Sequence, residues 1–194
     1  SETPTSGLVK ASFSNRDLVI MQREGLEVDA EYRQLLPYVV LVCGYEVFVY
    51  RRCKGIGEER LLGKQSIGFG GHMDLTDVRL IPGTEVVDLK RTIEAGVARE
   101  LGEEIELFDG NRAVASAELE EVIVQHTDPE IYHLGLPRIV HLSNRNLRLR
   151  EDELEAIGWM TPQEVLDTQG NLEAWSVLVC EHLARFQATG RESA

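Results

Sequence analysis

The sequence predicts an α+β fold, a mixed β-sheet sandwiched between helices. Three observations carry that prediction. A segment from about Val87 to Ile105 has helical periodicity, β-branched and aromatic runs lie both before and after it, and Thr161-Pro162-Gln163-Glu164 opens a second helical region near the end of the chain. Strands on both sides of a central helix make a mixed sheet, and helices at two places in the chain cover its two faces.

Taken in order, residues 1–15 are polar and rich in Ser and Thr, and read as a flexible N-terminal arm, with order beginning near Leu18 and a single domain over residues 16–190. Asp29 to Leu36 is helix-compatible and is stopped by Pro37. Tyr38 to Cys43 and Glu46 to Tyr50, on either side of Gly44, read as a strand pair. Arg51 to Gly63 is charged and glycine-containing, and makes a loop or hairpin connection. Ser66 to His72, SIGFGGH, is too rich in glycine for a regular strand, so its backbone bends or is approached closely.

After Pro82 and Gly83 comes the central helix, with Val97, Ala98, Leu101 and Ile105 on one side at about 100° per residue. Ala113 to Gln125 and Tyr132 to Leu142 fit further strands separated by the turn Thr127-Asp128-Pro129. Thr161 is an N-cap, Pro162 takes the first helical position, and Glu164 completes a capping pattern. A last helix over about Leu172 to Ala188 closes the domain.

With 194 residues, 43% hydrophobic and 27% charged, the chain has the composition of one globular domain. No apolar run approaches the roughly 18 residues of a membrane span, so no membrane partner is expected. No secretory leader pattern opens the sequence, and cytoplasm is the expected location. Twenty Lys plus Arg against 33 Asp plus Glu give a net charge of -13. Such a chain repels a phosphate backbone, which disfavours long nucleic acid, yet it suits a site for hard divalent cations. Cys43, Cys53 and Cys180 have no CxxC spacing and suggest neither a disulfide framework nor a zinc site.

The chemistry is concentrated in Arg99-Glu100-Leu101-Gly102-Glu103-Glu104. Glu100, Glu103 and Glu104 stand at i, i+3 and i+4 and project from one side of the helix. Their mutual repulsion costs stability, which a cation in a neighbouring cleft would relieve. Taken alone, the same spacing also describes a solvated acidic helix face.

Residues 99–107, RELGEEIEL, resemble the REUxEExGU half of the Nudix box, in which U is a bulky aliphatic residue. SIGFGGH resembles the Gly-Gly segment that precedes the box, and QLLPY followed by YRR is similar to the leading strands of one Nudix branch. Trp159, followed by Thr161-Pro162, resembles the tryptophan-bearing strand and following helix of many members. The likeness extends over about residues 30–180 and implies the Nudix fold, an α/β/α sandwich.

Two departures stand out. The full pattern Gx5Ex7REUxEExGU places a glycine at position 85 and a glutamate at position 91, where this chain has Glu85 and Arg91. The separation from Gly71 to Arg99 is about twice that of the pattern, which implies an insertion containing Asp74, Asp77, Pro82 and Gly83. In the family that glutamate supports the box arginine, so another acid, with Asp88 and Glu94 as candidates, has to orient Arg99. The second departure is Glu106 in place of the glycine that ends the helix.

The resemblance implies a Mg2+-dependent hydrolase, with Mn2+ as a substitute, that cleaves the diphosphate linkage of a nucleoside diphosphate joined to another moiety. The implied metal ligands are Glu103 and Glu104, Glu100 as ligand or base-side partner, and a carbonyl at Gly70 or Gly71, with Arg99 orienting one of the acids. A later acid completes many such sites, and Glu153, ahead of Glu151, is the candidate here. His72 is a candidate phosphate contact or a backbone-bonded loop histidine. Tyr38 and Trp159 are candidates for stacking on a base or for the core, and His133 faces the cleft or sits within the sheet. The implied partner is a small nucleotide or nucleoside diphosphate derivative, and a homodimer is a compatible assembly. Because the first half of the box is displaced, the competing expectation is a catalytically weak or inactive Nudix-fold module that binds or senses a nucleotide.

Overall fold

The structure is a computed structural model that describes residues 7–11, 14, 19–21, 26, 29, 31–53, 59–119, 121–126, 130–168 and 171–191. In chain order its strands are β1 (Gly7–Lys10), β2 (Gln34–Cys43), β3 (Glu46–Arg52), β4 (Gln65–Ser66), β5 (Gly68–Phe69), β6 (Ile105–Leu107), β7 (Ala113–Glu118), β8 (Glu121–Val124), β9 (His133–Leu142), β10 (Leu147–Leu149) and β11 (Leu154–Met160). The helices are α1 (Leu89–Glu104), α2 (Pro162–Asp167) and α3 (Ala174–Arg191).

The main sheet runs β1-β8-β9-β2-β3-β11, with β4 on β3, β5 on β2 and β7 on β9. Its centre is the parallel pair β2 and β9, in register from Gln34 opposite His133 to Val42 opposite His141, and the other pairings are antiparallel. The sheet is therefore mixed, as expected.

Side-chain alternation along β2 divides the core. Tyr38, Val40 and Val42 join Val165 of α2 and Val179 and Cys180 of α3 on one face, while Val39 and Leu41 join Phe48, Tyr50, Phe69 and Val97 of α1 on the other. Helices thus cover both faces, and α1 alone carries the conspicuous acids.

Several sequence expectations are corrected. The stretch before Pro37 is not a helix: Gln34 to Leu36 already belong to β2, because the parallel ladder to β9 takes up their backbone groups. Within the expected N-terminal arm, Gly7–Lys10 pair with Val124–Glu121 as an edge strand; Leu18, where order was expected to begin, lies outside the described residues, as does the expected turn at 127–129. The strand read as ending at Tyr50 continues to Arg52, where it meets β11. Ala98 is exposed, and the apolar stripe of α1 is Ile93, Val97 and Leu101.

The helix signals at Thr161 match the structure. Its hydroxyl accepts from Glu164 N–H while the Glu164 carboxylate accepts from the Thr161 backbone, a complete capping box with Pro162 inside the first turn. All three cysteines are free.

Candidate active site

The glycine-rich segment is shaped by what lies against it. A Cβ on Gly68 would sit 2.0 Å from the Tyr38 ring, and one on Gly70 would sit 1.9 Å from the Pro37 carbonyl oxygen. A Cβ on Gly71 would lie 2.8 Å from Glu100 Oε1, so this backbone approaches the α1 carboxylates as closely as only glycine permits. The Tyr50 hydroxyl donates to the Gly68 carbonyl at 2.6 Å and fixes the bend from the sheet side.

After His72 the chain makes a short 3-10 turn, Leu75–Asp77, closed by a capping box between Asp74 and Asp77. Further on, Leu80 bridges to Val87, Asp88 N–H donates to the Arg79 carbonyl at 2.7 Å, and Arg79 N–H donates to Thr92 Oγ1 at 2.9 Å. The segment between the glycines and the helix is therefore tied onto the first turn of α1.

That segment delivers Asp77, which is 2% exposed, onto Arg99. Arg99 Nε donates to Asp77 Oδ1 at 3.1 Å and Nη2 to Oδ2 at 2.9 Å, a bidentate pair. The remaining donors reach Glu100 Oε1 at 2.9 Å, Glu103 Oε2 at 3.2 Å and the His72 carbonyl at 3.0 Å. Arg99 is thus clamped from behind and holds two of the three acids. Burial alone would raise the Asp77 carboxyl, but the guanidinium and the Asp74 backbone N–H bring it below its ordinary value.

Asp77 was not among the candidate supports. Asp88 instead caps α1, accepting from Arg91 N–H at 3.2 Å, and Glu94 is exposed. The available signal was the DLTD capping pattern after the glycines, which fixes where the Asp77 carboxylate stands but not what it meets.

The three glutamates occupy different environments. Glu103 is 56% exposed at its side chain. The Glu100 carboxyl is raised, first by burial and then by Glu103 and Asp77, against the pull of Arg99. Glu104 is 8% exposed and its Oε2 has no hydrogen-bond partner. Burial, then Glu151, Glu100 and Glu103, push the Glu104 carboxyl up to about 8 in spite of Arg52. Among the described residues no three His, Cys, Asp or Glu side chains stand, in these rotamers, close enough together to hold a metal ion.

Of the two later acids, Glu151 rather than Glu153 couples to Glu104. The reason is topological: β6 continues directly from α1, β10 pairs with β6, and Arg150 N–H donates to the Glu104 carbonyl at 2.8 Å. The residue after Arg150 is carried to the end of α1. Glu153 lies further along, its carbonyl accepting from Cys53 N–H at 2.7 Å.

Tyr38 is corrected as a ligand contact. It is 5% exposed, bonded to Ser176 Oγ at 2.8 Å and edge-on to Trp175, on the face of the sheet opposite α1. Trp159 packs edge-on against Phe48 and donates to the Arg145 carbonyl. His133 is buried in β9 with its ring against that of His72, centroids 5.4 Å apart, so the two histidines meet beside the Arg99 cluster.

No protein-family model matches the chain. Protein YmaB of Bacillus subtilis is 30% identical over 166 residues, 84% of this chain and 77% of YmaB. The solved structure of Tm1382, a protein classed with the Nudix hydrolases, superposes with a TM-score of 0.70 at 20% identity, over 94% of this chain and 91% of that one. The chain belongs to the family of YmaB and has the Nudix fold. A MutT Nudix hydrolase from Burkholderia pseudomallei is a looser structural match, with a TM-score of 0.49 at 20% identity over 77% of this chain and 96% of that one.

Both departures from the Nudix box have a structural counterpart. Arg91, where the box has glutamate, is exposed, and Asp77, from the segment between the glycines and α1, occupies the place behind Arg99. Glu106, where the box has glycine, lies in β6 opposite Arg148, because Ile105 is already extended at φ -130 and the chain leaves the helix straight into a strand. No left-handed turn residue is needed there.

Proposed function

We propose that this Nudix-fold chain is a divalent-metal-dependent hydrolase that cleaves the diphosphate linkage of a nucleoside diphosphate joined to another moiety. The observation that carries the reading is the Asp77–Arg99 clamp holding Glu100 and Glu103 beside the buried, unpartnered Oε2 of Glu104.

The residues fit a hard cation. Glu104 Oε2 is a buried oxygen without a donor, and Gly71 leaves a gap beside Glu100 that a side chain would fill. Glu100, Glu103 and Glu104, with the Gly70 or Gly71 carbonyl, would hold Mg2+ or Mn2+ as an all-oxygen set. Such an ion neutralises diphosphate charge and lowers the pKa of attacking water.

The chain's own residues do the positioning. Arg99 fixes the rotamers of Glu100 and Glu103, and Asp77 fixes Arg99, so the acids stay aimed in spite of their mutual repulsion. Glu151, raised by burial and by Glu153 and Glu103, stands close enough to the cluster to hold a proton that the reaction releases.

The test is phosphate and pyrophosphate release at mildly alkaline pH, with Mg2+ and then Mn2+. The panel covers nucleoside triphosphates, ADP-ribose, dinucleoside polyphosphates, NADH, coenzyme A and nucleotide sugars. Metal-dependent turnover that Glu103→Gln and Glu104→Gln abolish, with folding intact, is the expected result. Full activity in both variants overturns the reading. Tight metal-dependent binding of a nucleotide that is never hydrolysed replaces it with the binding-module reading.

A further inference from the structure

A pocket of about 640 Å³ opens beside the Arg99 cluster, between the start of β2, the insertion and the first turn of α1. It is contiguous with the proposed site in two ways. His72 lines it while the His72 carbonyl accepts from Arg99, and Thr92 lines it on the same stripe of α1 as Arg99 and Glu103. With a helical rise of about 1.5 Å per residue, Thr92 stands about 12 to 18 Å along the axis from Glu100, Glu103 and Glu104, so a long group seated in the pocket can be covalently joined to a diphosphate at the acids.

The lining is mostly aliphatic, including Leu35, Met73, Val78, Leu89 and Leu134, and holds neither Phe nor Trp among the described residues. Of its two rings, Tyr32 is 38% exposed and His72 is packed against His133. Val19, Ile20, Met21 and Leu75 also line it and are 45% to 72% exposed, an apolar surface that has no covering element among the described residues. Two lining residues, Arg33 and Gln34, each carry a buried donor, Nη1 and Nε2, that has no hydrogen-bond partner. Buried donors call for acceptors, and Arg33 calls for a strong one.

We propose that this pocket takes the organic group attached to the diphosphate, and that the group is a flexible aliphatic chain bearing carbonyl oxygens, of the acyl or amide-linked class. The inference rests on the diphosphate reading above. Aliphatic walls match methylene and methyl groups, whereas a nucleobase needs flat partners on its faces and paired donors and acceptors at its edge. The two lone donors match carbonyl oxygens spaced along such a chain. The residues ahead of β2, the segment between the glycines and α1, and the first turn of α1 together build the walls.

The test compares ligands that share one nucleotide and differ in the appended group: ADP, ADP-ribose and dephospho-coenzyme A, whose arm is an amide-linked aliphatic chain. Binding is measured by calorimetry with Mg2+ on the full chain carrying Glu151→Gln, which removes the proposed proton acceptor and leaves the proposed metal ligands in place. Dephospho-coenzyme A is expected to bind at least tenfold more tightly than ADP and ADP-ribose. Leu75→Trp, at an exposed lining position that folding tolerates, is expected to erase that advantage while leaving ADP affinity unchanged. Arg33→Met is expected to reduce the advantage several-fold. Equal affinity for all three ligands, or an advantage that survives both substitutions, overturns the pocket assignment and leaves the diphosphate reading standing. Loss of ADP affinity in Leu75→Trp overturns it too, by placing the nucleoside in the pocket. If no diphosphate binds even to the wild-type chain with Mg2+, the diphosphate reading itself fails, and the pocket assignment with it.

Discussion

Asp77 holds Arg99 through two charge-assisted hydrogen bonds while itself almost wholly buried, so the pair is sensitive to any change in the acid. Asp77→Asn keeps one acceptor but sets an amide against the guanidinium. The expected cost is about 2–3 kcal/mol of stability, below the range for fully buried pairs because Arg99 retains some solvent contact. The loss also reaches Glu100 and Glu103 through Arg99, so metal-dependent turnover should fall by about tenfold or more, in kcat rather than KM. The pH dependence follows from the direction of the Asp77 shift. Its folded pKa lies below the unfolded one, so the stabilisation is complete above the ordinary carboxylate value of about 3.9 and is lost as pH falls through the lower folded value. The stability gap between wild type and Asp77→Asn is therefore constant near neutrality and closes in acid. Urea titrations at neutral and acid pH check this; a gap that widens in acid means that Asp77 is not held as the anion. This residue marks where reading from sequence stops. Glu100, Glu103 and Glu104 are legible because their spacing lies within one helix, whereas Asp77 meets Arg99 only after a capping turn and a bridged excursion place it there.

Among the elements, β4 and β5, paired with β3 and β2, are closely constrained, because the chain there passes between the two layers of the core, with Ile67 in one and Phe69 in the other. Ser66 Oγ donates to Glu173 at 2.7 Å and lies 3.3 Å from Ser176 Oγ, Glu173 accepts from Arg52 at 2.8 Å, and Ser176 meets the Tyr38 hydroxyl. Gly68 lies over the Tyr38 ring inside that network. Gly68→Ala would place a methyl 2.0 Å from a ring that cannot withdraw without breaking its bond to Ser176. The expected destabilisation is about 3 kcal/mol, at the upper end for overpacking, and thermal unfolding measures it. A melting temperature unchanged by the substitution would show that the ring has room to move. The glycines of SIGFGGH announce close approach in the sequence, but not that the approaching groups are Tyr38, Pro37 and Glu100. The helix-compatible run before Pro37 misleads for a related reason. Residues 34 to 36 form a strand because β9 lies parallel to them, a partner about a hundred residues away that local propensity does not see.

For the molecule as a whole, the net charge of -13 is most costly at the end of α1. Glu100, Glu103 and Glu104 crowd the C-terminal turns, where the helix dipole also disfavours anions, and no basic residue occupies the last turn. Glu104 adds a buried carboxyl with an unpartnered oxygen. A site arranged this way is destabilised by its own charges, and on the proposed reading a bound cation relieves them, so stability and metal binding should be linked. At a free Mg2+ concentration ten times its dissociation constant, the native state gains about 1.4 kcal/mol, which for a chain of this size raises the melting temperature by about 3–6 °C. Glu104→Gln preserves the shape and removes a carboxyl, its pKa pushed up to about 8, that the metal-free fold must either protonate or bury as a charge. It should therefore melt higher than wild type in EDTA, by about 1 kcal/mol, and lose most of the rise on adding Mg2+. Scanning calorimetry of both proteins, with EDTA and with Mg2+, gives the four values. If Glu104→Gln is the less stable protein in EDTA yet keeps the full Mg2+ shift, the repulsion is being relieved by protein groups and the cation seat lies elsewhere.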